Sequence, residues 1–228
     1  MSIYVVGAGP GDPKLLTVRA VELLAEADVV AHGDLVPVEI AKLYAPKAKV
    51  VKIGHKRQQH DAVVEMLINE AKAGKKVVIL KNGDPTLFGR GLQICKKAQE
   101  AGVPCEVVPG VSAFAAAAAL YKIDLTDGAA LRHLALLSYP HVDLETVRSI
   151  SADTLVIYMM GGRLGEVGEI LAAACGETEV YLCHAVTQGG SCIKTTPAGL
   201  KNYHLKPALV IARCKKLADN RQRYWDLF

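Results

Sequence analysis

Aromatic side chains are scarce in this 228-residue chain, at 5% of the total. Any core must therefore be filled by aliphatic groups, and a hydrophobic share of 51% supplies them. Such a composition suits a parallel sheet covered by helices. No apolar run approaches the ~20 residues that a membrane span needs, and the alanine-rich stretch at 115–120 is too short for one. The chain enters its first apolar run without the basic and apolar segments of a leader, so a cytoplasmic location is expected. Six cysteines are present (Cys95, Cys105, Cys175, Cys183, Cys192, Cys214), but no Cys-x-x-Cys. Buried free thiols are the expectation, and no metal site is foreseen. The net charge of +4 is too small to argue for nucleic acid, no nucleic-acid signature accompanies it, and neither that partner nor a membrane is expected.

A complete dinucleotide fingerprint is also missing. Residues 3–6 are β-branched and aromatic and read as a buried strand. They lead into Gly7-Ala8-Gly9-Pro10-Gly11-Asp12-Pro13, and then into a helical pattern with Thr17 as its N-cap. The third glycine of Gly-x-Gly-x-x-Gly is replaced by Asp12. Pro10 and Pro13 remove N–H donors, and a carboxylate would repel a pyrophosphate. The turn is built for a ligand without phosphate, and a nicotinamide-dependent oxidoreductase is disfavoured.

The rest of the first half alternates strands and helices. Strands are expected at 28–31, 49–53, 77–80 and 105–108. Helices are expected at 62–73 and 91–101, the latter ending at Gly102. That alternation predicts a parallel sheet with right-handed crossovers. Composition changes at 109–120, where an alanine-rich helix follows Ser112, and the domain boundary is placed there: 1–111 and 112–228. The second half reads as strands at 133–137, 154–158, 179–182, 192–196 and 208–212, with a helix at 164–174. Strands following one another without long helices predict antiparallel pairs in a mixed sheet. The tail at 219–228 carries Tyr224, Trp225 and Phe228 and reads as a partly ordered end or a packing segment.

Three loops repeat one logic: GAGPGDP at 7–13, NGDPTLFGRG at 82–91 and VPGVSA at 108–113. In that order and at those separations the chain resembles the tetrapyrrole methylase family, with the motifs in the first half and the hydrophobic pattern matching along essentially the whole chain. The resemblance implies a two-domain α/β fold: an N-terminal mostly parallel sheet with helices, a C-terminal mixed sheet with helices, and a cofactor cleft between them. It implies a C-methyltransferase that uses S-adenosyl-L-methionine, releases S-adenosyl-L-homocysteine, acts on a tetrapyrrole and forms a homodimer. Position by position, cofactor contacts fall on Pro10, Asn82, Gly83, Asp84, Leu87, Ser112, Ala113 and Met159, with Val186 and Ala208 at weaker backbone positions. Taken alone, Gly83-Asp84-Pro85 reads as a turn and Met159 as core.

The sequence departs from the family pattern where catalysis is expected. The branch with the nearest closing motifs reads Tyr-Asp-Arg-Leu-Val-Ser after its second strand; here His32-Gly33-Asp34-Leu35-Val36-Pro37 stands there. After the third strand the usual Gly-Lys-Arg becomes Gly54-His55-Lys56-Arg57, and Leu-Thr-His-Arg becomes Leu125-Thr126-Asp127-Gly128. Three readings stay open. A one-residue shift lets Asp34 and Lys56 act as the acid–base pair; the substrate is a different tetrapyrrole, with His55 as a base near neutral pH; or the chain binds cofactor without turnover. His55, Lys56, Arg57 and His60 read either as a solvated basic loop or as a site for the substrate's carboxylates, with Arg57 and Arg90 giving bidentate pairing. Arg90 pairing with Asp84 to brace its loop is the alternative.

Overall fold

Five short strands in the first half form one parallel sheet; those at 3–7, 29–32 and 77–81 at its centre are apolar runs buried on both faces, which need no alternation, while that at 49–52 lies at an exposed edge. In the computed structural model of the protein, which describes residues 2–54, 56–128 and 131–214, the five are β1 (Ile3–Gly7), β2 (Val29–His32), β3 (Lys49–Lys52), β4 (Val77–Lys81) and β5 (Cys105–Val108). Their order is β3-β2-β4-β1-β5, with every pair parallel. Helices α3 (Arg57–Lys72) and α4 (Gly91–Glu100) cover one face: Val64, Leu67, Ile68, Ile94 and Ala98 pack with Ile3, Val5, Val77 and Ile79. The other face takes α1 (Val18–Ala25) and α2 (Val38–Tyr44), with Leu23, Leu24 and Ile40 against Val6, Val30, Val78 and Leu80. Thr17 caps α1 as expected, its hydroxyl accepting from the Ala20 N–H at 3.1 Å. Gly102 ends α4 in the left-handed region at φ 78°.

The chain divides into two units, Met1–Ala113 and Phe114–Phe228. Helix α5 (Ala113–Tyr121) begins at the division. In the second unit, β6 (Leu134–Ser138), β7 (Thr154–Tyr158), β8 (Val180–His184), β9 (Ser191–Thr195) and β10 (Ala208–Arg213) form a mixed sheet in the order β6-β7-β10-β8-β9. Only the β6–β7 pair is parallel. Helices α6 (Leu144–Ser149) and α7 (Leu164–Cys175) pack Val147, Leu164, Val167 and Leu171 onto Leu155, Ile157, Leu182 and Val210. Two helices go beyond the sequence reading. Helix α2 has Pro37 at its cap position, with no side-chain acceptor, and α6 is too short to display a 3.6-residue period, although Asp143 caps it. No helix among the described residues is long and apolar enough to cross a membrane.

The expectation of free thiols is overturned. All six cysteines are paired: Cys95–Cys105, Cys175–Cys214 and Cys183–Cys192. The pairs are made between elements, which linear spacing does not reveal. Cys183 and Cys192 stand directly opposite in the β8–β9 register, with Cα atoms 4.0 Å apart. Cys95 lies on α4 over Cys105 of β5, and Cys175 at the end of α7 reaches Cys214 just past β10. A cross-link stabilises mainly by restricting the unfolded chain, in proportion to the logarithm of the loop closed. The 39-residue separation of Cys175 and Cys214 therefore outweighs the separations of 10 and 9. Denaturant titration of the Cys175→Ala/Cys214→Ala variant is expected to show a loss of roughly 4 kcal/mol, against a loss under ~3 kcal/mol for Cys183→Ala/Cys192→Ala.

Candidate active site

The carboxyl edge of the first sheet is where a doubly covered parallel sheet presents its ligand loops. The loops leaving β1 and β4 are joined there by main-chain hydrogen bonds. The Gly9 N–H donates to the Gly83 carbonyl at 3.2 Å, and the Gly83 N–H donates back to the Gly9 carbonyl at 2.8 Å. The loop after β5 closes against both. A Cβ added to Gly110 would lie 2.4 Å from the Gly83 carbonyl oxygen and 2.8 Å from the Gly7 Cα. Only glycine permits backbones to approach so closely.

Asp84 locks this arrangement. One carboxylate oxygen accepts from the Thr86 N–H at 2.8 Å and from the Thr86 hydroxyl, and the other accepts from the Gly110 N–H at 2.9 Å. Burial pushes this carboxyl up, but the bonds from Thr86 and Gly110 outweigh it and hold Asp84 below the usual carboxylate range. The brace on this loop thus runs through Thr86 and Gly110. Among the cofactor positions named from the sequence, Pro10 and Gly83 are buried, Asn82 is exposed, and Leu87, Ser112 and Ala113 are half-buried. A Cβ on Gly83 would sit 3.7 Å from the Ser112 Cα, so the three loops gather around one point.

The second unit gathers its own named positions. Extending the β7–β10 register places Ala208 opposite Met159, and Ala208 pairs with His184, two residues before Val186. Met159 is 62% exposed with φ 62°, so it is not the core residue its apolar context suggested. Ala185 and Thr187, either side of buried Val186, also adopt positive φ, at 42° and 71°. Non-glycine residues in this region are strained, and such strain concentrates at binding sites. Tyr158, beside Met159, accepts from the Phe114 N–H at 3.2 Å, and burial pushes its phenol up to about 12, although that bond opposes the shift.

The acid–base candidates belong to the segments that follow β2 and β3. Asp34 Oδ1 lies 2.9 Å from Lys52 Nζ, a lysine the sequence reading passed over as part of a strand. Lys56 is exposed at the cap position of α3, and His55 lies outside the described residues. Asp127, at the third departure from the family pattern, has a structural role: its carboxylate accepts from the Leu131 N–H at 2.8 Å and closes a turn.

Arg57 and Arg90 do come together. With His60, Asp61, Gln93, Ile94 and Lys97 they line a cavity of about 380 Å³ at the amino ends of α3 and α4. Asp61 pairs with Lys97 at 2.7 Å and with Arg57 at 4.0 Å. His60 is 5% exposed, which removes it from the solvated loop the sequence suggested. Burial, then the charges of Arg90 and Lys81, hold its imidazole below the ordinary range, and burial followed by Arg90 lowers Lys81. Neither His60 nor Lys81 carries a motif; only the strand-face alternation that puts Lys81 on the side of Val77 and Ile79 points to it.

Fold and loops together define a two-unit α/β protein with three interlocked loops at the carboxyl edge of its parallel sheet. Residues 2–200 match the model of the Tetrapyrrole (Corrin/Porphyrin) Methylases, and the chain belongs to that family. It is 35% identical over 169 residues to the uroporphyrinogen-III C-methyltransferase of Cyanidium caldarium, covering 69% of this chain and 67% of that one. It is 45% identical over 128 residues to the sirohaem synthase of Pseudomonas fluorescens (strain Pf0-1), but spans only 28% of that protein's length. Among solved structures, the uroporphyrin-III C-methyl transferase of Thermus thermophilus complexed with S-adenyl homocysteine aligns at TM-score 0.79 and 31% identity, covering 93% of this chain and 97% of that one. A cobalt precorrin-4 methyltransferase aligns at TM-score 0.83 and 27% identity, covering 93% and 94%.

Replacing Asp84 by Ala strands the Gly110 N–H, and by Asn leaves one acceptor for donors on two sides. A loss of about 1–3 kcal/mol is expected for Asp84→Ala by denaturant titration. Because Asp84 titrates lower folded than unfolded, its contribution is complete above its unfolded value near 3.8 and disappears as pH falls through the folded value. The stability of Asp84→Asn should therefore fall less steeply than that of the wild type below pH ~4.

Proposed function

We propose that this methyltransferase acts on uroporphyrinogen III and forms precorrin-2, the precursor of sirohaem and cobalamin. The observation that carries the reading is the cluster of three loops at the first sheet's edge, whose segments 7–13, 82–89 and 109–113 contain no lysine, arginine or histidine. That donor set (main-chain groups, the Asn82 amide, the Ser112 hydroxyl and nearby carboxylates) fits S-adenosyl-L-methionine, which has hydroxyls, an adenine, an amino-acid end and no phosphate. The cofactor supplies an electrophilic methyl group on a positively charged sulfur. Pro10, Gly83, Leu87 and Ala113 shape the backbone cradle for it, Asp84 keeps that cradle closed, and Met159, Val186 and Ala208 are further proposed contacts.

Forming a carbon–methyl bond on a porphyrinogen requires that the pyrrole lose a proton. Asp34, paired with Lys52, is the proposed acceptor, with Lys56 and His55 as the further groups proposed to complete or replace the pair. Arg57 and Arg90 are the proposed anchors for the substrate's carboxylates. A second reading, methylation of a later precorrin, is favoured by the higher TM-score to the cobalt precorrin-4 enzyme and by the changed residues at Gly33 and His55.

Calorimetric titration with S-adenosyl-L-homocysteine should give saturable binding, weakened in Met159→Ala and Leu87→Ala; no binding at millimolar ligand would overturn the cofactor assignment. Under anaerobic conditions with uroporphyrinogen III and later precorrins offered separately, the methylated product identifies the substrate. Asp34→Asn is expected to lower turnover by about 10²-fold or more with homocysteine-adduct affinity nearly intact, and Lys52→Met to follow in the same direction.

A further inference from the structure

Among the described residues, three cationic side chains and one acid line the cavity between the amino ends of α3 and α4. Arg57, Arg90 and Lys97 line it with Asp61, and Lys81 stands beneath from β4. His60 forms part of the same wall. Both of its ring nitrogens are buried without a hydrogen-bond partner among the described residues, and Nδ1 lies 3.7 Å from Asp61 Oδ1. A buried imidazole with neither nitrogen satisfied costs stability unless another state of the site uses it. The helix ends add partial positive charge, and α3 runs for 16 residues.

We propose that this cavity is a socket for one carboxylate arm of the tetrapyrrole, and that His60 takes up a proton as the arm enters. The proposal rests on the tetrapyrrole reading above and adds a proton-coupled anchoring site to it. Arg57, Arg90 and Lys97 attract the arm. The arriving anion cancels the repulsion that Arg90 and Lys81 exert on a charged imidazole, and the new Nδ1–H closes onto Asp61. Among the described residues, the groups facing His60 are Arg57 and Asp61 from α3, Arg90, Gln93 and Lys97 from α4 and the turn before it, and Lys81 from β4, and of these Asp61 is the acid.

The sign of the pH dependence follows. In the free protein His60 titrates below 6.5, and in the complex it titrates higher, so the complex binds the extra proton. Affinity is constant below the free value, weakens by up to about tenfold per pH unit as pH rises through the window between the two values, and then levels off.

The test uses the full chain and uroporphyrin III, a stable oxidised analogue with an acetate and a propionate on each ring. Calorimetry in buffers of different ionisation enthalpy reads proton uptake, and NMR of the histidine rings reads the titration of His60 with and without ligand. Wild type should take up close to one proton inside the window, with the His60 titration moved upward. His60→Gln should take up none and lose the pH dependence. Arg57→Gln, at the exposed rim, should bind about tenfold more weakly. Titration with S-adenosyl-L-homocysteine verifies the fold of each variant. If wild type binds uroporphyrin III with no proton uptake and no shift of His60, the socket is overturned while the tetrapyrrole reading stands. If no porphyrin or porphyrinogen binds wild type that still takes the homocysteine adduct, both are overturned. The same His60 shift from inorganic phosphate alone at matched ionic strength would assign the socket to a free anion and overturn the arm.

Discussion

The two-sided grip of Asp84 is the constraint on which the first sheet's edge depends. One oxygen holds its own turn through Thr86; the other reaches across to the Gly110 main chain. Without it, three glycine-rich segments would be free to separate, since segments without large side chains have little apolar area with which to hold one another. The carboxylate is therefore structural: it fixes where the three loops lie. Gly9 and Gly83 add a second tie through their paired main-chain bonds.

The two sheets solve different problems with similar aliphatic cores. The first is doubly covered, so all its loops of consequence leave from one edge and their separations are fixed by strand spacing. The second mixes directions, so the group at Met159, Val186 and Ala208 draws on the ends of β7 and β8 and the start of β10. Left-handed residues Met159, Ala185 and Thr187 stand at this edge, and Phe88 adopts φ 50° in the loop after β4. Of the five non-glycine residues with positive φ among the described residues, these four lie in or beside positions marked by the family resemblance, Lys122 being the exception, and such strain is often retained for a purpose other than stability.

Much of this was legible in the sequence because it is local. Strands such as residues 154–158 and 105–108 are short runs of β-branched and apolar residues bounded by breakers, and their limits coincide with β7 and β5. Thr17 and Gly102 mark their helix ends by chemistry that acts over three or four residues. What was hidden depends on contacts between distant segments. No spacing rule pairs Cys175 with Cys214, and Lys52 becomes the partner of Asp34 only because β2 and β3 are neighbours in the sheet. His60 belongs to the same class: in a basic segment it reads as solvated, yet the helix phase that buries Val64 and Leu67 also turns it inward.

The contrast between Gly110 and Gly33 sets where such a fold can diversify. Around Gly110 main chain touches main chain, so no exchange of side chains there can reshape the loop cluster without moving three strands at once. A Cβ added to Gly33 would meet nothing within 4 Å. The interlocked loops are thus frozen into the scaffold, whereas the turn after β2, beside the edge strand β3, is open ground where new side chains can be tried cheaply. One chemistry can in this way be handed from one macrocycle to the next by rewriting a few positions at the rim.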